Sequence, residues 1–212
     1  MIGLLLKDVY TMRQYIKTLL FMLIFFAMIS AGLDNPATFF EGFIILMSMM
    51  LTISSFSYDD LAKWDRYALS LPITRKEVVA GKYLLSIVLC IAATVVSFLI
   101  SLVILTVKPV EGFGLAEQLY ATAAIVSAAF FFTGILLPLT FKFGVEKSRI
   151  LLFVVFAAPS AAVIAFDKLG IPVLLPSEAS LISFLKLFPL IMIPLYYLSY
   201  RLSVQIFSGK EF

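Results

Sequence analysis

The residues best equipped for chemistry stand in one stretch, SFSYDDLAKWDRYALSLPITRKEVVAGKY, residues 55–83. It holds the aspartates Asp59, Asp60 and Asp65, the only tryptophan of the chain, Trp64, and the pair Gly81-Lys82. Gly-Lys is the core of a phosphate-binding loop, in which backbone amides wrap the phosphates. That loop needs an earlier glycine and a Ser or Thr after the lysine. Here Lys76 stands at the earlier position and Tyr83 follows the pair. Neither this segment nor any other builds the loop, so ATP hydrolysis by this chain is not expected. Cys90 is alone in an apolar run, which excludes a disulfide framework and a thiolate metal site. The chain has no histidine, and so lacks the commonest metal ligand and general base. No carboxylates are paired within the apolar runs, which leaves an intramembrane enzyme little to work with. Ion-coupled transport places charges mid-membrane. The candidates Glu41, Glu117 and Lys186 all stand near the ends of their apolar runs. Lys186 would snorkel outward or line a cavity.

The elements that position these residues follow from composition. Of the 212 residues 62% are hydrophobic and 14% charged, against about 25% charged in an ordinary globular domain. A surface of this size cannot hide so much apolar area from water, so the solvent is mostly lipid. A net charge of +3 on so apolar a chain does not suggest nucleic acid. A bilayer core of about 30 Å needs around 20 apolar residues in helix. Six runs qualify, near 18–33, 38–57, 78–106, 117–141, 150–166 and 180–200. The expected fold is all-α, a single polytopic domain over 1–212, because backbone groups in lipid must be satisfied within each helix. With the N-terminus inside, thirteen Lys and Arg fall on the inner side and three on the outer, Lys108, Lys168 and Lys186. That asymmetry puts both termini in the cytoplasm of a plasma-membrane protein.

Residues 1–17 read as an amphipathic helix in the headgroup plane, with Leu5, Val9, Met12 and Ile16 on one face. Lys7, Arg13 and Lys17 are its expected lipid anchors. A secretory leader is the rival reading, but AMISA (27–31) is a poor cleavage site. Three spans in each half invite an inverted repeat, for which no matching motif is found. Pro138, Pro159, Pro189 and Pro194 interrupt the last three spans. They mark either a pathway-lining half, together with Lys186, or the general frequency of proline in membrane helices.

The polar loop reads as a short amphipathic helix over 58–72. Leu61, Trp64, Ala68 and Leu71 lie on one stripe, with an i,i+4 pair between Asp59 and Lys63. Pro72 stops it, and Thr74 with Glu77 forms a capping box for the third span, stapled by Ile73 and Val78. Such an element lies on headgroups, packs on its own bundle, or docks on a partner, where Trp, Tyr and Arg dominate binding. The acids Asp59, Asp60 and Asp65 count against an anionic lipid surface.

The order Tyr58-Asp59, Trp64-Asp65, Tyr67, Leu71-Pro72-Ile73-Thr74-Arg75, Val79 and Lys82-Tyr83 resembles the first cytoplasmic loop of ABC-2 type permeases. In particular it is similar to the small six-span subunits of bacterial exporters for phenol-soluble modulins, which are amphipathic peptide toxins. The resemblance implies a permease that pairs with a second copy or a sister permease and with two ATPase subunits. ATP and Mg²⁺ would be bound by those subunits and no cofactor by this chain. It also implies that the loop, with Tyr58, Asp59, Asp60, Lys63, Trp64, Asp65, Arg66, Tyr67, Leu71 and Pro72, is the coupling helix seated in the ATPase. The expected function is ATP-driven export of amphipathic peptides. Immunity to peptide antibiotics, lipid export and ion-coupled secondary transport are the alternatives. Twenty-one Phe, nine Tyr and eight Met supply adaptable apolar surface for such a cargo, or simply face lipid and other helices.

Overall fold

A computed structural model describes residues 2–30, 32–68, 70–110, 113–151, 153–155, 157 and 178–210. Among them every regular element is helical. Helix α1 (Ile2–Met12) passes through one 3-10 turn (Arg13–Tyr15) into α2 (Ile16–Ser30). Then follow α3 (Pro36–Leu61), α4 (Trp64–Ala68), α5 (Arg75–Val107) and α6 (Leu115–Phe143). Residues 145–151 are helical, and α7 spans Glu178–Ser208. Five described helices are long and apolar enough to cross a bilayer: Gly3–Ser30, α3, α5, α6 and Leu187–Ser208. The sixth expected span, near 150–166, lies mostly outside the described residues.

The first span begins earlier than its composition suggests. Met12 and Ile16 keep right-handed helical dihedrals on either side of the 3-10 turn, so α1 runs on into α2. The inward face takes only part of the expected apolar stripe, with Met12 buried and Leu5 half-buried. Val9 and Ile16 are half exposed, while Asp8 is buried beside Met12. An aqueous amphipathicity rule fails here because a partner for Asp8 waits inside the bundle, and lipid accepts the apolar side chains.

Local signals set most helix ends. Pro36 at the first turn of α3 lacks only a donor that would be unpaired anyway. The Thr74–Glu77 capping box forms as expected, with Thr74 N donating to Glu77 Oε2 at 2.7 Å and Glu77 N to Thr74 Oγ1 at 3.2 Å. Gly144, at φ 82°, ends α6 in a left-handed conformation that suits glycine. Helix α7 continues eight residues past the expected end at 200. Its terminal carbonyls find a donor: Arg75 Nη1 bonds the carbonyls of Phe207 (3.1 Å), Ser208 (2.8 Å) and Lys210 (2.8 Å). A guanidinium also suits the negative end of the helix dipole.

Helix α3 packs chiefly on α5, and α6 on α7. A core at the α4 end joins both pairs through Ile53, Val79, Leu137 and the edge-on rings of Phe56, Phe141 and Phe207. Tyr83 of α5 reaches α7, its hydroxyl 2.6 Å from Ser199 Oγ and 2.8 Å from Ser203 Oγ. Pro138 and Pro194 sit inside α6 and α7 without ending them. Pro138 lacks the amide hydrogen that would serve the carbonyl four residues earlier, Gly134. Ser199 Oγ donates to that carbonyl instead, at 2.5 Å. Gly134 faces Tyr196 and Ser199 here, where an added Cβ would rest in ordinary contact with Tyr196 at 3.5 Å.

Ser199→Ala is expected to destabilise the protein by about 1–3 kcal/mol, the cost of an orphaned buried acceptor. Pro138→Ala, which restores an amide donor to Gly134, should recover part of that loss. Thermal unfolding of both single variants and the double variant in micelles measures the coupling, and strict additivity would refute the link.

Candidate functional site

Two lysines and two aspartates from three helices meet beneath α4. Lys7 and Asp8 come from α1, Asp59 from the last turn of α3 and Lys82 from the second turn of α5. Lys82 Nζ lies 2.5 Å from Asp59 Oδ2 and 3.1 Å from Asp8 Oδ1. Lys7 Nζ lies 2.5 Å from Asp59 Oδ1 and 3.1 Å from Asp8 Oδ1. Lys82 also donates to Ser55 Oγ. Helical spacing explains that contact, since Ser55 and Asp59 are four residues apart and share one face of α3. Asp8 and Lys82 are each only 4% exposed. The formal charge of the quartet is zero. Burying any one member alone would cost several kcal/mol, which only its neighbours can offset.

Gly81-Lys82 is therefore helix interior and not a phosphate cradle. Gly81 lies where α1 crosses α5, with Leu4 Cβ 3.5 Å from the position of an added Cβ, an ordinary contact distance. Lys82 turns to the acids on the neighbouring helices.

The quartet supports the loop above it. Lys7 Nζ sits 4.2 Å from the centre of the Trp64 ring, a cation–π contact. Trp64 in turn lies 5.4 Å from Tyr67, centre to centre. The loop is not the single helix expected over 58–72. Tyr58, Asp59 and Asp60 complete α3, and Lys63 breaks it at φ 50°. Helix α4 is five residues long, and turns carry the chain through 70–73. The Asp59–Lys63 pair does not form, because Asp59 engages Lys7 and Lys82 while Lys63 is exposed. Of the expected stripe, Ala68 is buried, Trp64 and Leu71 are half-buried, and Leu61 is 81% exposed. Tyr67, Asp60 and Pro72 are exposed as well. Tyr58 bonds the Tyr15 hydroxyl and so fastens the 3-10 turn to α3. The side chains of Asp65 and Arg66 lie outside the described residues.

Arg13 and Lys17 are exposed on the first rod, whereas Lys7 turns into the quartet. Pro138 lines a cleft of about 370 Å³ between α6 and α7, with Phe130, Phe131, Met192 and Tyr196. Pro189 lines an adjoining one of about 320 Å³ with Ile87, Val126 and Ile193. Pro194 lines neither. Pro159 and the Lys186 side chain lie outside the described residues. Sequence reasoning overlooked Asp8, Ser55 and the partners of Lys82. The available signal was an acid–base pair inside otherwise apolar helices. Among the described residues no group of His, Cys, Asp and Glu could hold a metal ion.

At least five span-length helices and one polar knob, fastened to the bundle by buried charge, define a multi-pass helical membrane protein. Residues 3–208 match the family described as "ABC-2 family transporter protein". The match covers nearly the whole chain, and the protein belongs to that family. No curated protein and no solved structure matches it. Family membership makes the chain the non-catalytic membrane subunit of a class that works with ABC ATPases.

Lys82→Met is expected to cost about 3–5 kcal/mol, because it leaves two buried aspartates to share Lys7 and one negative charge unbalanced. Lys82→Met combined with Asp8→Leu leaves a balanced Lys7–Asp59 pair and should be more stable than the single variant. Unfolding midpoints in detergent decide this. A loss no greater than that of Lys63→Met would remove the quartet from the account.

Proposed function

We propose that this chain is the permease subunit of an ATP-driven exporter of amphipathic peptides, worked by separate ATPase subunits that grip the knob over Tyr58–Pro72. The observation that carries the reading is the knob's construction. It exposes Leu61, Tyr67 and Asp60, yet is anchored from below through Trp64 on Lys7. An exposed aromatic and acidic surface suits a protein groove better than anionic lipid. A firm anchorage suits an element that receives force, since a push on a slack loop would move nothing else. Conformational coupling further requires that the ATPase contact the knob differently in its two nucleotide states.

In this reading the knob and both termini face the cytoplasm of the plasma membrane. Two ATPase subunits bind ATP and Mg²⁺, and a second copy or a sister permease completes the pathway. Arg13 and Lys17 meet the headgroups. The peptide cargo is supported by the resemblance of the loop and by the clefts between α6 and α7. Their Phe, Met and Tyr linings offer the adaptable surface an amphipathic helix needs.

Co-purification with a candidate ABC ATPase tests the docking role. Trp64→Ala and Asp65→Arg are expected to reduce recovery of the ATPase strongly, while Arg13→Ala leaves it intact. Undiminished recovery with both knob variants would end the proposal. For cargo, amphipathic peptides should stimulate the ATPase of the reconstituted complex beyond lipid or peptide antibiotics. Stimulation by lipid alone would point to lipid export, and by antibiotics alone to immunity.

A further inference from the structure

The other end of α3 buries a second acid, and among the described residues no lysine or arginine pairs with it. Glu41 lies about 7.5 Å along the helix from Pro36, at 1.5 Å per residue. Its Oε1 accepts from Thr122 Oγ1 at 2.9 Å and its Oε2 from Gln118 Nε2 at 2.6 Å. The same Nε2 donates to Ser101 Oγ at 3.0 Å, and Ser101 donates to the carbonyl of Phe98. Glu41, Gln118 and Ser101 are fully buried. Lys108, at that end of α5, donates to the carbonyl of Leu33.

Counting hydrogens shows what the site lacks. Thr122 has one hydroxyl hydrogen but two acceptors in reach, Glu41 Oε1 and the carbonyl of Gln118 at 2.8 Å. Gln118 Oε1 is buried with no donor among the described residues. Exchanging the oxygen and nitrogen of that amide does not help, since the carbonyl would then face the carboxylate at 2.6 Å. In either arrangement one electropositive group is missing, and the carboxylate in its ionised form has no counter-charge among the described residues of a low-dielectric bundle. A water molecule would serve the orphaned carbonyl but not the charge. A positive ion in place of the missing group would meet the Gln118 carbonyl, once its amide turns over, with the Glu41, Thr122 and Ser101 oxygens. An all-oxygen set selects a hard cation, and a site of charge −1 takes one positive charge.

We propose that Glu41, Gln118, Thr122 and Ser101 bind one small monovalent cation of the sodium class. The ion ties α3, α5 and α6 together at the end of the bundle away from the knob. The site stands apart from the ATPase reading, and neither depends on the other.

Thermal unfolding of the purified full-length protein, in sodium chloride and in choline chloride at equal ionic strength, tests it. Wild type should show a saturable rise of its midpoint with sodium, and Glu41→Gln should show none. Thr122→Val, which keeps the side chain's size and removes one oxygen, should need several-fold more sodium for the same rise. It also carries the comparison should Glu41→Gln fail to fold. Identical melting of wild type in the two salts overturns the proposal, as does a sodium response that survives Glu41→Gln. Salt-insensitive melting with Glu41→Gln as stable as wild type would mean a neutral acid, and with Lys186→Met destabilised an internal ammonium. Either result replaces the cation.

Discussion

Two lysines and two aspartates buried together beneath α4 fix how the first half of the chain is put together. A charge inside a lipid-facing bundle is tolerated only beside its opposite, so Lys82 holds α1 and α3 against α5 at one place. In a membrane apolar packing gives little registry, because lipid tails are as good a neighbour as leucine. Directional contacts must therefore set the sliding and rotation of one helix on another. The quartet does this for α1, α3 and α5, and the Tyr15–Tyr58 bond adds a second point of attachment.

The α6–α7 pair uses other means to the same end. The carbonyl of Gly134, freed by Pro138, receives the Ser199 hydroxyl. Tyr83 links this half to α5 through Ser199 and Ser203. A proline that would break a soluble helix becomes a point of helix–helix recognition, because the neighbour supplies the missing donor. Among the described residues the bundle thus has polar fastenings near the knob and another, around Glu41, at the far end. The clefts beside α6 and α7 lie along the stretch between them.

That distribution suits a permease. The knob is tied to α1, α3 and α5 through the quartet, and to the α6–α7 half through Tyr83 and the aromatic core at Phe56, Phe141 and Phe207.

The sequence alone determined the class of solvent, the helical architecture and several of the helix ends. Those properties depend on composition, on run length and on neighbours three or four residues apart. The Thr74–Glu77 capping box and Pro36 at the start of α3 are read from a handful of adjacent residues. So is the polar, aromatic character of 55–83. Only the tertiary structure decided where the charges go. Lys7 was read as a lipid anchor and Asp59 as the partner of Lys63, because local spacing offers no better mates. Their actual partners are 52 residues apart in the chain, and Asp8 meets a lysine 74 residues away. An ion pair inside lipid is chosen by burial, and burial is known only when the helices have been placed side by side.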